Sequence, residues 1–280
     1  EIICEPKAYL NELMMDDNSG QPSAKEVFDT TPYTILVVDD NPDMTDFLKR
    51  TFEGYFKRII IAGDGVEALQ LVRSHVPDII VSDVMMPRMN GYKLCKTIKE
   101  DINISHIPVI LLTARDDRQS QISGYKNGAD GYLSKPFEVE MLMELIRNRL
   151  KNREYTKKRY LNAGLIPTPE ESTISLTDET FLIKLNSIIQ ENIENSNLGI
   201  QFICQEVGLG RSSLYNKLKA LTGMGANEYI SKLRIEKAIT LISGTDMPFS
   251  EIAEKTGFTT PSYFSTAFKQ YTGETPSQYK

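Results

Sequence analysis

The sequence of 280 residues is poor in cysteine and contains no long apolar segment. Its three cysteines, Cys4, Cys95 and Cys204, lie too far apart for a zinc site or a disulfide framework, and they fit a reducing cytosol. No run approaches the roughly 18 to 20 apolar residues of a membrane-spanning helix, and no secretory leader is visible. The sequence therefore predicts a cytoplasmic protein. The first residue is Glu1 rather than Met, which indicates a piece of a longer chain.

Strong positive charge and a nucleotide-binding loop are also missing. The net charge is -6, and residues 200–280 carry nine Lys or Arg against seven Asp or Glu. Binding to DNA would therefore depend on local placement of charge rather than on a strongly basic surface. No Walker-type glycine loop is present, so the sequence does not suggest nucleotide hydrolysis. The two histidines, His75 and His106, each come just before a predicted strand, where a structural role is favoured over phosphorylation.

What the sequence does contain, between residues 34 and 150, is a regular alternation of short apolar runs and helical patterns. The apolar runs cover residues 34–38, 59–62, 79–81, 109–112 and 131–133. Runs of this length bounded by turn residues are typical of strands buried on both faces of a parallel sheet. The last helix is predicted from about residue 138 to 150. The pattern predicts an α/β doubly wound, five-stranded parallel sheet.

Polar side chains follow four of these strands. The residues concerned are Asp39, Asp40, Asp83, Thr113 and Lys135. Because the carboxyl ends of parallel strands meet at one edge, these side chains should share one crevice. Converging carboxylates need a counter-charge, which Mg²⁺ supplies, and a carboxylate can also accept a phosphoryl group as nucleophile. Taken alone, Asp83 would be read as an aspartate that starts a turn; the other residues at the same edge favour a site.

Residues 34–150 resemble a response-regulator receiver domain of the flavodoxin-like fold. The matching segments are Val37-Val38-Asp39-Asp40, Ser82-Asp83-Val84-Met85-Met86-Pro87 through Gly91, Leu112-Thr113-Ala114 and Ser134-Lys135-Pro136-Phe137. The resemblance implies that Asp83 is the phosphoacceptor and that Mg²⁺ is the cofactor. It assigns the metal to Asp39, Asp40, Asp83 and the carbonyl of Met85. It also implies that Thr113 and Lys135 bind the phosphoryl group and that Tyr132 is the aromatic switch residue.

From residue 177 onwards the pattern is helical and repeats itself. Residues 218–229 align with residues 268–279 at an offset of 50, and residues 203–209 align with residues 252–258 at an offset of 49. Each copy is predicted to be a helix, a glycine-containing turn and a second helix, which is the helix-turn-helix pattern. Two ordinary helical hairpins are the alternative.

Residues from about Phe181 to Lys280 resemble the AraC-type DNA-binding domain with two helix-turn-helix units. A recognition helix presents its first residues to base edges and its flanks to phosphates. The candidates are Arg211, Ser212, Tyr215, Asn216, Lys217 and Lys219 in the first unit, and Thr260, Ser262, Tyr263, Thr266 and Lys269 in the second. Arg211 and Asn216 are best suited to read guanine and adenine. The opposite stripe, with Leu214, Leu218, Phe264 and Phe268, is predicted to be core, and Tyr229 and Tyr279 are predicted to pack rather than touch DNA.

The domain boundaries follow from these patterns. Residues 1–33 are predicted to be a linker or the tail of a preceding domain, 34–150 a receiver, 151–177 a linker, and 178–280 the AraC-type domain. The combination resembles the C-terminal half of a hybrid two-component protein, in which a histidine kinase lies in the same polypeptide. A sensor part of such a protein would anchor it in the membrane.

The leading hypothesis is a non-enzymatic transcription regulator controlled by phosphorylation of Asp83. In the family, phosphorylation draws Thr113 inward and turns Tyr132. The face built from the helix after the fourth strand, the fifth strand and the next helix then supports a homodimer. The first alternative is a phosphotransfer receiver whose helical domain binds protein. The second, a phosphatase, is disfavoured because Met85, two residues after Asp83, is not a carboxylate.

Overall fold

A computed structural model describes residues 28–114, 128–162 and 175–280. Most of the predicted N-terminal linker or tail and much of the predicted linker 151–177 therefore lie outside the described residues. The segment 115–127, where the pairing face requires a helix, lies outside them as well. Within the described ranges, no helix is long and apolar enough to span a membrane.

Five parallel strands form the predicted sheet. They are β1 (Thr34–Val38), β2 (Arg58–Ala62), β3 (Ile79–Asp83), β4 (Val109–Ala114) and β5 (Gly131–Lys135). Their order is β2-β1-β3-β4-β5, and every neighbouring pair is parallel. The order reverses between β1 and β3, so the doubly wound topology is confirmed and a crevice opens at the carboxyl ends of these two strands.

Apolar side chains on the two faces of the sheet form two separate core clusters. Helices α2 (Gly65–His75) and α3 (Gly91–Glu100) cover one face, and α1 (Pro42–Phe52) and α4 (Val139–Asn162) cover the other. The central strand β3 is buried along its whole length because helices cover it on both sides.

The helices beside the crevice begin at defined caps. Asn41, which follows the Asp39-Asp40 pair, accepts a hydrogen bond from Asp43 N, and Pro42 occupies the first turn of α1 as predicted. Asp64 caps α2 in the same way by accepting from Val66 N and Glu67 N. These caps fix where the chain leaves the ends of β1 and β2.

Helix α4 runs to Asn162, well beyond the predicted end at Leu150. Residues 151–162 of the predicted linker are therefore helical, and Arg153 in this part is tied to the receiver body. Its Nη1 donates to the Asp78 carbonyl at 3.1 Å and lies 3.5 Å from Asp78 Oδ1, at the entrance to β3. This contact anchors the far part of α4 to the edge of the receiver and stabilises the helix beyond residue 150.

The C-terminal half is helical. Its helices are α5 (Leu176–Glu191), α6 (Ile200–Val207), α7 (Arg211–Thr222), α8 (Ala226–Gly244), α9 (Phe249–Lys255), α10 (Pro261–Thr272) and α11 (Pro276–Tyr279). The pairs α6–α7 and α9–α10 are the two predicted helix-turn-helix units. Gly208 and Gly257 take positive φ in their turns, and a Cβ at Gly257 would overlap the Ile193 carbonyl.

Each unit has its own apolar core. Leu214 and Leu218 of the first unit belong to one cluster, and Phe264 and Phe268 of the second belong to another, which confirms the predicted core stripe. Tyr229 is buried, and its hydroxyl donates to Asn186 Oδ1 at 2.8 Å, so its packing role is confirmed.

Candidate functional site

Two carboxylates and one ammonium meet at the carboxyl edge of the sheet. Lys135 Nζ lies 2.5 Å from Asp83 Oδ1 and 2.9 Å from Asp39 Oδ2. Both carboxylates are buried, and they stand at the ends of β3 and β1, where the strand order reverses. The structure therefore brings three of the predicted site residues into direct contact.

The charges in this crevice do not balance. Burial raises the pKa of Asp83, and the hydrogen bond and charge of Lys135 oppose that rise. Burial would lower the pKa of Lys135, but its two carboxylate partners outweigh burial and raise it. One ammonium shared by two carboxylates leaves net negative charge at the strand ends, which attracts a cation.

The backbone after β3 holds the Asp83 carboxylate in place. Met85 N donates to Asp83 Oδ2 at 2.7 Å, so both carboxylate oxygens have partners. Gly91 N donates to the Val84 carbonyl at 3.0 Å, and a Cβ at Gly91 would overlap the Asp83 carbonyl oxygen. The glycine predicted from the motif is therefore required for the loop to fold back over the strand end.

Two further residues make contacts near the crevice and were not predicted as part of it. Asn41 N donates to Asp39 Oδ1 at 2.9 Å, which orients that carboxylate. Arg88, in the loop after Asp83, forms an ion pair with the helix cap Asp64. The Asn41 contact is local and follows from the cap pattern, whereas the contact of Arg88 with a residue 24 positions earlier leaves no signal in the sequence.

The predicted metal ligands are only partly assembled. Asp40 is exposed, whereas Asp39 and Asp83 are buried, and Met85 follows Asp83 by two residues with its side chain in solvent and its backbone at the strand end. Among the described residues, no group of three or more His, Cys, Asp or Glu side chains could hold a metal ion. The donors present are nevertheless the oxygen ligands that Mg²⁺ prefers, and the unbalanced negative charge of Asp39 and Asp83 suits it.

Thr113 and Tyr132 lie on the neighbouring strands β4 and β5. Thr113 follows Leu112, the register partner of Asp83, so it reaches the same edge of the sheet. Its hydroxyl is buried and has no hydrogen-bond partner within the described ranges. Tyr132 is half-buried and packs against the core cluster on the side of α2 and α3. Thr113 thus places a buried hydroxyl, without a partner among the described residues, at the edge of the sheet where Asp83 stands.

The predicted DNA-reading residues are exposed on α7 and α10, with one exception. The exposed residues are Arg211, Ser212, Tyr215, Asn216, Lys219, Thr260, Ser262, Tyr263, Thr266 and Lys269. On α7 most of them line a groove that continues onto the first turn of α8. In the second unit, Thr260 Oγ1 accepts from Tyr263 N at 3.2 Å, and Thr266 Oγ1 donates to the Ser262 carbonyl at 3.0 Å, so both hydroxyls already have backbone partners.

The exception is Lys217, and the prediction that it flanks the reading helix as a phosphate contact is wrong. Its side chain is fully buried, and Nζ lies 2.5 Å from Asp178 Oδ1 and 2.8 Å from Ser105 Oγ. A signal was available in the sequence, because Lys217 follows Leu214 by three residues and precedes Leu218 on the apolar stripe. Its partners could not be predicted, because they lie 39 and 112 residues away along the chain.

Few cations are left for DNA in this half. Lys232, Lys237, Lys255 and Lys280 each have a carboxylate within 4 Å. Arg211, Lys219 and Lys269 are exposed and have no acidic partner in the described part of the chain. Two lie on α7 and one on α10, the helices predicted to read DNA.

Two family models match the chain. Residues 35–147 match the response regulator receiver domain, and residues 203–280 match a helix-turn-helix domain of the AraC type. Together these two regions contain the acidic crevice and both exposed reading helices.

Curated relatives extend these matches. The chain is 41% identical over 247 residues to "Histidine kinase P4" of Formosa agariphila, covering 88% of this chain and 18% of that protein. It is 36% identical over 165 residues to "Response regulator MprA" of Mycobacterium sp. (strain KMS), covering 54% of this chain and 70% of that protein. It spans 58% of the length of "DNA-binding response regulator MtrA" of Mycolicibacterium smegmatis, at 36% identity.

A solved structure also resembles the N-terminal half. The receiver domain of the Francisella response regulator 1452 is 37% identical, with a TM-score of 0.40, covering 43% of this chain and 98% of that one.

Proposed function

Because this chain belongs to the response regulators, with a receiver domain followed by an AraC-type helix-turn-helix domain, we propose that it is a DNA-binding regulator controlled by phosphorylation of Asp83. The observation that carries the proposal is the contact of Lys135 with both Asp83 and Asp39 at the strand ends. This geometry holds a nucleophilic carboxylate beside a fixed cation in a negatively charged crevice.

The phosphoryl step needs only groups that the crevice contains and a divalent cation. An Asp83 carboxylate oxygen attacks the phosphorus of a phosphohistidine or acetyl phosphate, forming an acyl phosphate while the bond to the donor breaks. Lys135 and the free hydroxyl of Thr113 hold the new phosphoryl oxygens. Asp39, Asp40, Asp83 and the Met85 carbonyl would hold Mg²⁺, which neutralises charge on the transferred group.

The signal then passes to the DNA-binding half by pairing. A phosphoryl group adds roughly -1.5 to -2 charge and three acceptor oxygens. It draws Thr113 inward and frees space for the half-buried ring of Tyr132, which reshapes the face for a second receiver. Two paired chains set their reading helices on adjacent half-sites, which raises affinity for a repeated site through effective concentration.

A histidine kinase is the proposed source of the phosphoryl group. The match of most of this chain to 18% of the protein named "Histidine kinase P4" supports a kinase in the same polypeptide. For the alternative, a phosphotransfer receiver whose helical half binds protein, the described residues offer no specific contact in its favour. The three exposed cations on α7 and α10, which have no acidic partner among the described residues, favour DNA.

The first test of the proposal is phosphoryl acceptance with acetyl phosphate and Mg²⁺, followed by intact mass. The wild type should gain one phosphoryl group, and Asp83→Ala should gain none. Asp43→Ala, which removes an exposed carboxylate from the first turn of α1, is the control and should label normally. Asp40→Ala should lose Mg²⁺ affinity by calorimetry while staying folded. Equal labelling of Asp83→Ala and wild type would refute the assignment.

A second test separates DNA binding from protein binding. Gel shifts with selected genomic fragments, together with sedimentation, should show that phosphorylation favours dimers and binding to a repeated site over a single half-site. Thr113→Ala should weaken that response. Phosphorylated protein that stays monomeric and binds both DNAs with unchanged affinity would refute the pairing mechanism. Absence of specific, salt-sensitive DNA binding would favour the protein-binding alternative.

A further inference from the structure

Lys217 joins the first recognition helix to the receiver. Its ammonium contacts Asp178 of α5 and the Ser105 hydroxyl of the receiver loop between α3 and β4, and it lies 5.1 Å from the centre of the Phe181 ring. Ser105 Oγ also donates to Asp178 Oδ1 at 2.7 Å. Burial lowers the pKa of Lys217, and Asp178 opposes that shift. Lys217, Asp178 and Ser105 are thus hydrogen-bonded to one another, and each residue is at most 2% exposed to solvent.

The second unit shows that this lysine is not part of the repeated pattern. At the offset of 50 residues that aligns α7 with α10, Leu214 and Leu218 correspond to Phe264 and Phe268, whereas Lys217 corresponds to Ala267. Ala267 packs against the apolar cluster of its own unit. Lys217 therefore makes a polar contact that is specific to the first unit, whereas the second unit has an apolar residue at the aligned position.

Three other contacts join the same surfaces. Ile102, in the loop after α3, packs against the apolar cluster of the first unit. Thr177 Oγ1 at the start of α5 donates to the Lys99 carbonyl at 2.9 Å. Helix α4 also contacts α7, and a cavity of about 80 Å³ between the two halves is lined by His106 and Arg153 on one side and by Ala220 and Leu221 on the other.

The front of α7 stays open in this arrangement. Arg211, Tyr215, Asn216 and Lys219 are exposed, whereas Lys217, Ala220 and Leu221 face the receiver and α5. The receiver therefore contacts the back of the helix whose front carries the proposed base-reading residues.

We propose that the receiver surface around Ser105 and Ile102 is a docking site for the back of the first recognition helix, and that Lys217 anchors the helix there with its reading face open. The proposal rests on the proposed function, because it assumes that α7 reads DNA. Ser105 acts as a positioning residue through Lys217. The docked form binds DNA, so phosphorylation acts by pairing whole docked chains and not by releasing a covered helix.

The test is hydrogen exchange on the full chain, in its unphosphorylated form and without DNA. Ile102→Asp places a carboxylate against the apolar cluster of the first unit and should speed exchange of α7 amides by about tenfold or more, while α10 amides change less than about twofold. Gln70→Glu adds the same charge at an exposed position of α2 and should leave α7 unchanged. Exchange of β3 amides checks that the receiver is folded in each variant.

Ser105→Ala provides a second, milder perturbation, should Ile102→Asp fail to fold. It removes one hydroxyl from the polar set and should speed exchange of α7 by about two- to tenfold, again without affecting α10. Unchanged protection of α7 in both variants, with β3 still protected, would overturn the docking site.

Gel shifts on a single half-site test whether the docked face is open. The wild type should bind, and Ile102→Asp should bind no more tightly than the wild type. Binding by Ile102→Asp that is tighter by about tenfold would show a covered face and overturn the proposal. If no variant binds DNA while α7 responds to Ile102→Asp, docking stands and the DNA-reading function fails.

Discussion

The two helix-turn-helix units share a sequence pattern but support their second helices differently. Helix α7 is supported from behind by the buried ion pair of Lys217 with Asp178 and by the receiver. Helix α10 is supported by packed aromatic rings. The ring centres of Phe264 and Phe268 are 5.7 Å apart, and that of Tyr279 lies 5.4 Å from that of Phe268. The repeated pattern thus sets the local fold and the exposed front of each helix, whereas the neighbouring structure decides what lies behind it.

The largest effect on stability should come from replacing Lys217 by alanine, the residue that the second unit has at the aligned position 267. Lys217→Ala leaves the buried carboxylate of Asp178 without its cation, so the free energy of unfolding should fall by about 3–5 kcal/mol. Urea unfolding followed by circular dichroism measures the change. The control, Lys219→Ala, removes an exposed lysine of the same helix and should change stability by no more than about 0.5 kcal/mol. A loss below about 1 kcal/mol in Lys217→Ala would contradict the contrast between the units.

Removing both charges sharpens that test. Lys217→Met combined with Asp178→Leu should recover most of the loss, because apolar replacements of similar size avoid the cost of an unpaired buried charge.

A smaller difference is expected in base reading. Arg211 begins α7, whereas Pro261 stands at the aligned position of α10 and has no hydrogen-bonding side chain. Arg211→Ala should weaken specific binding by about 1–3 kcal/mol and relax the preference for one base. Lys269→Ala should weaken binding to all sequences alike and reduce the salt slope by about 0.9. Gel shifts at several salt concentrations separate the two, and equal loss of specificity in both variants would show that the units do not differ in this way.

Mild acid should destabilise the first unit and not the second. Burial lowers the pKa of His106, at the interface with the first unit, from 6.5 to about 3, so stability is lost as the pH falls below 6.5 and the unfolded state takes up a proton. Burial raises the pKa of Glu236, which accepts from Tyr271 of α10, so acidification relieves a penalty in the second unit. At about pH 5.5 the first effect amounts to about 1.4 kcal/mol.

Hydrogen exchange at about pH 7.5 and 5.5, corrected for intrinsic rates, measures this difference. Amides of α7 should lose protection and those of α10 should keep or gain it. His106→Phe should remove the loss in α7, and a parallel loss in both helices would mean that acid acts elsewhere.

The smallest effect concerns the helix starts. Thr260 caps α10 through its hydroxyl, whereas Gly210 caps α7 without a side-chain bond. Thr260→Ala should cost about 1 kcal/mol, and Gly210→Thr should gain only a few tenths of a kcal/mol. A Cβ at Gly210 meets no atom within 4 Å, so the substitution fits. Urea midpoints measure both changes, and a destabilised Gly210→Thr would show that this turn requires glycine.

The sequence predicted what depends on periodicity and on strand ends. The parallel, doubly wound sheet was predicted from the alternation of elements, and Asp39, Asp83 and Lys135 meet because parallel strands end at one edge. The core positions Leu214 and Phe264 followed from helical spacing. These are properties that each segment carries by itself.

Contacts between distant segments could not be predicted in the same way. Arg153 fastens the far part of α4 through Asp78, 75 residues earlier, and Lys217 has a partner in Ser105, 112 residues earlier. A basic residue is compatible with solvent, phosphate or a buried partner, and only the packed chain decides among them.

The anchored end of α4 has a consequence for how such proteins are recombined. The family match of the receiver ends at residue 147, yet Arg153 fastens the following turns to the entrance of β3. A receiver domain that is transferred to another protein and ends at residue 147 would lose Arg153, the cation that pairs with Asp78. It would also lose the part of α4 beyond that residue, from a helix that contacts α7. The segment that must be transferred is therefore longer than the receiver domain defined by the family match. A working chimera must carry α4 through Arg153 together with the loop of Ile102 and Ser105.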